Sequence, residues 1–248
     1  REQGLISRMW NFSSGMAELV AKDKLPVNED AFGKLPYTYS AAGMTASRMV
    51  TKEDPDSNLD NLKGTTEFFI YDTHTGQETA HVTVPVVYPN ISVIDSDNRL
   101  LAFGKESLVT LYDVASGKQV RTLKTEGVLE GIGVLNETYI DSLAFSPNGR
   151  LLAVSSVGKV LVMDLERDTV VRLEGHERAP GLVRDLRFDA RGAYLSPVGD
   201  FNTGSIWRVG TWRPVVAVDH GEFRTIHTLS FNPVADEAVS CGTDGTCL

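Results

Sequence analysis

The chain has 248 residues, enough for one large or two ordinary domains, and 42% of them are hydrophobic, which is typical of a folded protein. Its 24 basic and 33 acidic residues give a formal net charge of −9 without a basic run, so we expect no nucleic-acid partner. No apolar stretch approaches the roughly 20 residues that a membrane helix needs, so we expect no membrane partner either.

Five segments along the chain share one plan. Each has a short apolar run, then an aromatic residue or methionine, then a polar turn and a second short run. The copies are "RMWNFSSGMAEL" from Arg8, "FFIYDTHTGQET" from Phe68, "VTLYDVASGKQV" from Val109, "VLVMDLERDTVV" from Val160 and "GSIWRVGTWRPV" from Gly204. Since β-branched and aromatic residues suit strands while glycine and short polar residues suit turns, each copy predicts a β-hairpin.

A second type of hairpin precedes four of these segments. The copies are "YTYSAAGMTASRMV" from Tyr37, "ISVIDSDNRLLAFG" from Ile91, "IDSLAFSPNGRLLAVSS" from Ile140 and "LVRDLRFDARGAYLSP" from Leu182. The repeated unit therefore has four strands, and its key positions lie 41 to 61 residues apart, at Trp10, Tyr71, Tyr112, Met163 and Trp207. A period of about 40–45 residues with insertions is that of propeller blades. We predict an all-β protein, a β-propeller of four-stranded antiparallel blades.

The hydrophobic pattern predicts which strands are buried. The segments "LLAVSS" and "KVLVMDL" are apolar on both faces, as strands between stacked blades must be. The fourth-strand segments "KQVRTL" and "HVTV" alternate apolar with polar residues, which is typical of an outer edge that faces water.

The repeats divide the chain into four complete and two partial blades. We expect complete blades at about 32–85, 86–124, 138–175 and 181–220, and partial blades at 1–25 and 224–248. Either the N-terminal strands complete the C-terminal blade and close a five-bladed ring, or the chain is an open arc from a longer ring. We expect the open arc, because Thr246 to Leu248 begins a third strand where "LISRMWNF" would have to pair.

The pattern resembles the WD-repeat β-propeller family over nearly the whole chain. The W-D pair of that family corresponds to Trp10-Asn11, Tyr71-Asp72, Tyr112-Asp113, Met163-Asp164 and Trp207-Arg208. Its G-H pair corresponds to Gly175-His176 and, more loosely, to Asp219-His220. The resemblance implies a hydrogen-bonded tetrad of His, Ser, Asp and Trp in a blade. Asp244 in "GTDGT" matches the Asp position best, whereas Glu106 and Val157 occupy it in two other blades.

The resemblance also implies a role. WD-repeat propellers are mostly scaffolds, so we expect a protein–protein interaction scaffold or sensor module that is not an enzyme. Its partner would be another protein or another domain of the same polypeptide. The residues expected at the partner-binding face flank the first strands of their blades: Tyr139, Asp141, Arg184, Asp185, Arg224 and His227. The alternative is a lactonase-like or quinoprotein-like propeller that acts as an enzyme or ligand-binding protein, with carboxylates, histidines or a metal at the central channel.

Motifs for catalysis or cofactor binding are missing, and we expect neither a catalytic residue nor a cofactor. The acidic loop 53–60 carries Asp54, Asp56, Asn58 and Asp60 at alternate positions, as a calcium loop begins. Leu59 stands where the turn needs glycine, however, and Thr65 where a bidentate glutamate belongs, so we expect no tight metal binding.

The cysteine content bears on the cellular compartment. Cys241 and Cys247 are too few and too close together to indicate a disulfide framework, so the cytoplasm is the expected location. Three glycosylation sequons, at Asn11, Asn90 and Asn136, leave a secreted or periplasmic location as the alternative.

Overall fold

The structure is a computed structural model that describes residues 8–11, 18–22, 37–40, 45–57, 62–72, 75–125, 139–156, 158–173, 183–199, 203–220 and 225–248. Every regular element in these ranges is a β-strand, and every strand pair is antiparallel. Within them there is no helix long and apolar enough to cross a membrane.

Within the described residues, twenty strands form three four-stranded sheets, one six-stranded sheet that contains blade 4 and the C-terminal pair, and the N-terminal pair. The N-terminal pair is β1 (Arg8–Asn11) and β2 (Glu18–Lys22). Blade 1 is β3 (Tyr37–Tyr39), β4 (Thr45–Glu53), β5 (Gly64–Asp72) and β6 (Glu78–Val84). Blade 2 is β7 (Ile91–Ile94), β8 (Leu100–Lys105), β9 (Leu108–Asp113) and β10 (Lys118–Lys124). The all-β, four-stranded prediction is confirmed by these sheets and the two that follow.

The remaining strands continue the same order. Blade 3 is β11 (Ser142–Phe145), β12 (Leu151–Ser156), β13 (Lys159–Asp164) and β14 (Thr169–Leu173). Blade 4 is β15 (Val183–Phe188), β16 (Tyr194–Gly199), β17 (Thr203–Arg208) and β18 (Pro214–Asp219). The C-terminal pair is β19 (Ile226–Phe231) and β20 (Ala238–Gly242), and it joins blade 4 where Gly199 bridges Ile226.

Both edges of the C-terminal pair are engaged within the described residues. Ser240 and Leu248 exchange backbone hydrogen bonds of 3.0 and 2.8 Å, and the Gly242 N–H donates to the Thr246 carbonyl at 3.1 Å. The last residues therefore begin a third strand on β20. In the described chain β1 pairs with β2 and does not pair with β20, so the pairing that would close a five-bladed ring is not found there. The extents of the blades and of the domain stay predictions.

The key aromatic and methionine positions are equivalent in the five hairpins. Each lies at the penultimate residue of the third strand of its blade, or of β1 in the N-terminal pair: Trp10, Tyr71, Tyr112, Met163 and Trp207. Tyr112, Met163 and Trp207 are buried, and Tyr71 is half-buried. The side chain of Trp10 lies outside the described part of the chain.

A β-bulge accompanies this position in four of the five hairpins. The strand that follows carries one extra residue opposite the key position: Val20, Thr79, Val120 and Val215. A bulge leaves the extra residue unpaired and locally breaks the alternation of the strand. Val120 and Val215 are 58% and 42% exposed, but so are outer-strand residues that lie outside a bulge, such as Val216 at 50%.

The core consists of three hydrophobic clusters between successive blades. Phe68 and Ile70 of blade 1 pack with Leu101 and Phe103 of blade 2. The alternate residues of blade 2, such as Leu111, pack on blade 3, and blade 3 packs in the same way on blade 4. β8, β12 and β13 thus bury both of their faces, while β10 is largely exposed, as the hydrophobic pattern predicts.

The hairpins between first and second strands share one capped turn. A short polar residue accepts a hydrogen bond from the backbone N–H five residues later and returns one to its carbonyl, at Ser40, Asp95, Ser146 and Asp189. Asp95 and Asp189 are almost fully buried, and each carboxylate also accepts a second backbone N–H. Burial raises the pKa of Asp95 despite these bonds.

Candidate functional site

A hydrogen-bonded network lies where blade 4 meets the C-terminal pair. His220 follows β18, Ser240 lies on β20, and Asp244 lies in the loop after β20. The His220 ring reaches Ser240 Oγ through Nε2 at 3.0 Å and the Asp244 carboxylate through Nδ1 at 3.2 Å. These are three members of the tetrad that the WD-repeat resemblance implies. The sequence analysis did not identify Ser240 as the serine of the tetrad, although it lies four residues before Asp244, within "AVSCGTD".

The packing around the histidine leaves no room for a larger neighbour. A Cβ added at Gly242 would lie 2.7 Å from His220 Nδ1 and 3.0 Å from an Asp244 oxygen. The ring therefore rests directly on the backbone of Gly242. Asp244 also accepts hydrogen bonds from the Thr246 hydroxyl at 2.6 Å and from the Thr246 N–H at 2.9 Å. These Thr246 bonds, together with His220, lower the pKa of Asp244 to about 2.

The histidine lies between a serine and an aspartate, as it does in hydrolytic triads, but the surroundings favour a structural role. The His220 side chain has no exposed surface, and Ser240 is 3% exposed. The Ser240 N–H already donates to the Leu248 carbonyl, so it is not available to stabilise an oxyanion. The network instead holds the loop after β20 against the end of β18.

Other blades replace this network with apolar contacts. The position of Ser240 is held by Ala102 in blade 2 and by Ala153 in blade 3, and both are buried. At the Asp position blade 2 has Glu106, whereas Val157 of blade 3 and the second predicted histidine, His176, lie outside the described residues. A Cβ added at Gly104 would lie 2.7 Å from Ile140 Cβ, so Ile140 packs on the backbone of blade 2.

The acid after each key aromatic residue caps the following turn. The Asp72 carboxylate accepts the Thr75 N–H at 2.7 Å, and Asp113 accepts the Ser116 N–H at 2.8 Å. Asp164 accepts the Arg167 N–H at 3.0 Å and a bond from Arg150 of 2.7 Å. Arg208, the counterpart in blade 4, donates to the Tyr194 hydroxyl at 3.1 Å. These residues stabilise the turns of the repeat.

In the same turns, the residue four positions after Asp72, Asp113, Asp164 or Arg208 adopts the left-handed backbone conformation, with a positive φ. Gly76 and Gly117 take this conformation, with φ of 70° and 62°. Asp168 and Trp212 hold it without being glycine, with φ of 56° and 55°. The sequence analysis did not single out Trp212, although aligning the five hairpins places it at the glycine position.

The residues expected at the partner-binding face lie at the N-terminal ends of first strands. Tyr139 and Asp141 precede β11, Arg184 and Asp185 open β15, and His227 opens β19. These side chains are half-exposed or exposed, and β11 lies beside β15. Arg224 lies outside the described residues. The structure thus places these five on one end of neighbouring blades, and their role stays a prediction.

The C-terminal loop is physically linked to this face. The Thr243 N–H donates to the Thr225 carbonyl at 3.0 Å, and the Thr225 N–H donates to the Thr243 hydroxyl at 3.0 Å. His227 lies two residues beyond Thr225. The loop after β20 therefore borders the face that carries Arg184 and His227.

The described residues contain no cluster of three or more metal-ligating side chains. In the acidic loop, Asp54 and Asp56 are exposed, while Asn58 and Asp60 lie outside the described residues. A cavity of about 510 Å³ lies between blade 4 and the C-terminal pair. Its lining is mainly apolar and includes Ile206, Val218, Leu229 and Phe231.

The two cysteines, which the sequence analysis did not pair, are bonded to each other. Cys241 and Cys247 form one disulfide, with Cα atoms 4.1 Å apart. A separation of six residues does not by itself bring two cysteines together. Here the chain reverses and places the two residues opposite each other in an antiparallel bridge. The expected cytoplasmic location remains a prediction.

Antiparallel four-stranded sheets that pack face to face in chain order define the class of the protein as a β-propeller. Residues 129–162, which include the first two strands of blade 3, match the family model described as WD domain, G-beta repeat. Together the match and the sheets fit a divergent WD-repeat propeller. A search of curated proteins returned no match.

We expect acid to weaken the folded state between about pH 4 and pH 2. Arg150 holds the pKa of Asp164 at about 2, and the Thr246 bonds do the same for Asp244, against an ordinary value of 3.8. A lowered folded pKa gives stability that is complete above the unfolded value and is lost as the pH falls through the folded one. Asp95 acts in the opposite sense, because its pKa is raised.

Urea unfolding at half-unit steps from pH 5 to pH 2.5 measures this dependence. Asp164→Asn and Asp244→Asn should each flatten it, whereas Thr83→Ala, which removes an exposed side chain that carries no ionisable group, should leave its shape unchanged. Equal slopes in all four proteins would contradict the expectation.

Proposed function

We propose that the protein is an interaction module that binds another protein, or another domain of the same polypeptide, through the face at the N-terminal ends of β11, β15 and β19. The observation that carries this proposal is the grouping of Tyr139, Asp141, Arg184, Asp185 and His227 on one end of neighbouring blades. Tyrosine and arginine are the residue types that most often anchor protein interfaces. The WD repeat is of a kind typical of scaffold propellers, which supports the same role.

The local contacts favour a preformed surface. The Asp141 N–H donates to the Ser155 carbonyl at 2.9 Å, and Asp185 pairs with Arg187 at 2.6 Å. Tyr139 is 43% exposed beside these fixed groups. A surface whose backbone is already bonded loses little conformational entropy on binding.

Affinity capture with matched variants tests the proposal. The full chain is immobilised as wild type, as Tyr139→Ala with Arg184→Glu, and as Arg213→Glu. Arg213 is exposed in the turn before β18, at the opposite ends of the strands, so its variant controls for the change in charge. A protein bound by wild type and by Arg213→Glu should fall about tenfold or more with the double variant, as the loss of two anchors implies.

Equal capture by all three proteins would reject this face. Loss with Arg213→Glu alone would place the interface on the opposite end of the blades. Circular dichroism of each variant separates a lost interface from a lost fold.

A further inference from the structure

A groove separates blades 3 and 4 at the end opposite to the expected partner-binding face. It is lined by the turns between first and second strands and between third and fourth strands, and its cavity is about 410 Å³. Both blades have all four strands, so neither wall lacks one. A concave surface of this size is typical of ligand sites. Its apolar wall is buried or half-buried and consists of Leu151, Val162, Val171, Val209 and Trp212.

The turn between β13 and β14 carries an arginine where the repeat has a short hydroxyl residue. Thr75 and Ser116 hold this position in blades 1 and 2, and each hydroxyl donates to the acid of its own turn, at 2.9 and 2.5 Å. Arg167 replaces them in blade 3 and lines the groove, with its side chain 72% exposed. Its ion pair within the described chain is a long contact of 3.8 Å with Asp164. The guanidinium therefore keeps most of its five N–H donors for a ligand.

The turn between β17 and β18 carries a tryptophan where the repeat favours glycine. Trp212 holds the left-handed conformation, with φ of 55°, that Gly76 and Gly117 adopt in blades 1 and 2. This conformation is unfavourable for a residue with a large side chain, and strained residues of this kind concentrate at functional sites. Trp212 lines the same groove as Arg167. The two departures from the repeat thus meet in one place, and both are of residue types that often anchor protein interfaces.

The charged and amide groups of the groove offer donors, while their acceptors are already bonded. The Asp164 carboxylate accepts the Arg150 guanidinium at 2.7 Å and the Arg167 backbone N–H at 3.0 Å. The Asn148 side-chain oxygen accepts the Ser146 hydroxyl at 2.7 Å and the Arg150 backbone N–H at 3.1 Å. The NH₂ group of Asn148 is then the half that can donate to a ligand. A matching ligand must supply acceptors, and a carboxylate does so with a charge opposite to that of Arg167.

We propose that this groove binds a short acidic segment of another protein, in which an aspartate or glutamate lies beside a large apolar side chain. The carboxylate pairs with Arg167, and the apolar side chain packs on Trp212. Because these anchors lie on turns of different blades, a peptide reaches both with neighbouring side chains. The net charge of −9 disfavours an acidic segment elsewhere on the protein, so binding needs the exposed cation and the apolar wall together. The groove does not rest on the proposed function of the opposite face.

Selection from a phage-displayed library of random short peptides, with the full chain as target, tests the groove. Retained peptides should carry Asp or Glu beside a large apolar residue. Synthetic copies should lose about tenfold or more in affinity with Arg167→Glu and with Trp212→Gly, as expected for interface anchors. Arg167→Lys should recover only part of the loss, because lysine lacks the planar fork. Lys118→Glu, the same charge change on an exposed residue that follows the corresponding turn of blade 2, should bind like wild type.

Urea unfolding of each variant separates a lost site from a lost fold. Trp212→Gly should keep its turn, since glycine holds the same conformation in blades 1 and 2, and Arg167→Glu alters an exposed side chain. Arg184→Glu, at the partner-binding face, should leave peptide binding unchanged, so the two proposals fail separately.

Three results would overturn the proposal. They are a selection that yields no acidic peptide, peptides that bind wild type and Arg167→Glu alike, and binding of phenylacetate without any peptide that distinguishes these two proteins. In the last case the groove would hold a small apolar acid and not a protein segment.

Discussion

Replacing Trp207 with alanine should lower the free energy of unfolding by about 3–5 kcal/mol, the usual cost of removing a large buried aromatic side chain. Trp207 has no exposed surface and belongs to the cluster that joins blades 3 and 4. It also lies at the bulge between Ile206 and Trp207. Urea denaturation measures the loss.

Val170→Ala is the matched control for this substitution. Val170 pairs with Met163 and is 48% exposed in an outer strand, so its truncation should cost less than about 1 kcal/mol. If Trp207→Ala costs no more than this control, the residue does not anchor the blade. Met163→Ala should fall between the two, because methionine fills the equivalent buried position with a smaller side chain.

The repeated hairpins were predictable because their signals are local. Turn residues such as Gly76 and Gly117 meet a backbone requirement that only a few residue types satisfy, and the apolar runs beside them repeat with them. The outward position of Val120 was not predictable in this way. It follows from the position of β10 at the outer edge of its sheet, where most side chains are exposed, and apolar character alone does not reveal it.

The histidine network was predictable only in part. The resemblance supplied His220 and Asp244, but the contact with Ser240 depends on the approach of β18 to β20, which are not neighbours in their sheet. The disulfide was missed for a related reason. A separation of six residues says little about distance until the hairpin places Cys241 and Cys247 across from each other.

The expected partner-binding face depends both on the sequence and on the packing of the strands. The sequence places Tyr139 and Arg184 just before first strands, and the packing of β11 beside β15 places those strand ends together. The identity of the partner depends on a surface that is not part of this chain, and no repeat or spacing encodes it.

Asp189→Ala should destabilise the protein by about 2–4 kcal/mol, because it removes a buried acceptor and leaves two partly buried backbone donors without their partner. Asp189 is 2% exposed, and its carboxylate accepts the Ala193 and Tyr194 N–H groups at 2.6 and 2.7 Å. These bonds close the turn between β15 and β16, on which the strand order of blade 4 depends. Ala190 and Arg191 in this turn are exposed, whereas the Asp189 side chain that caps it is buried.

Asp189→Asn separates the hydrogen bonds from the charge. The asparagine side chain has nearly the same size, and its carbonyl oxygen can accept both N–H groups, so it should recover at least half of the stability that alanine loses. Arg191, whose Nε lies 3.5 Å from the carboxylate, also contacts Asp236 and keeps that partner in both variants. Urea unfolding of the three proteins at pH 7 makes the comparison. Equal losses for alanine and asparagine would show that the charge on Asp189, and not its acceptor role, stabilises the turn.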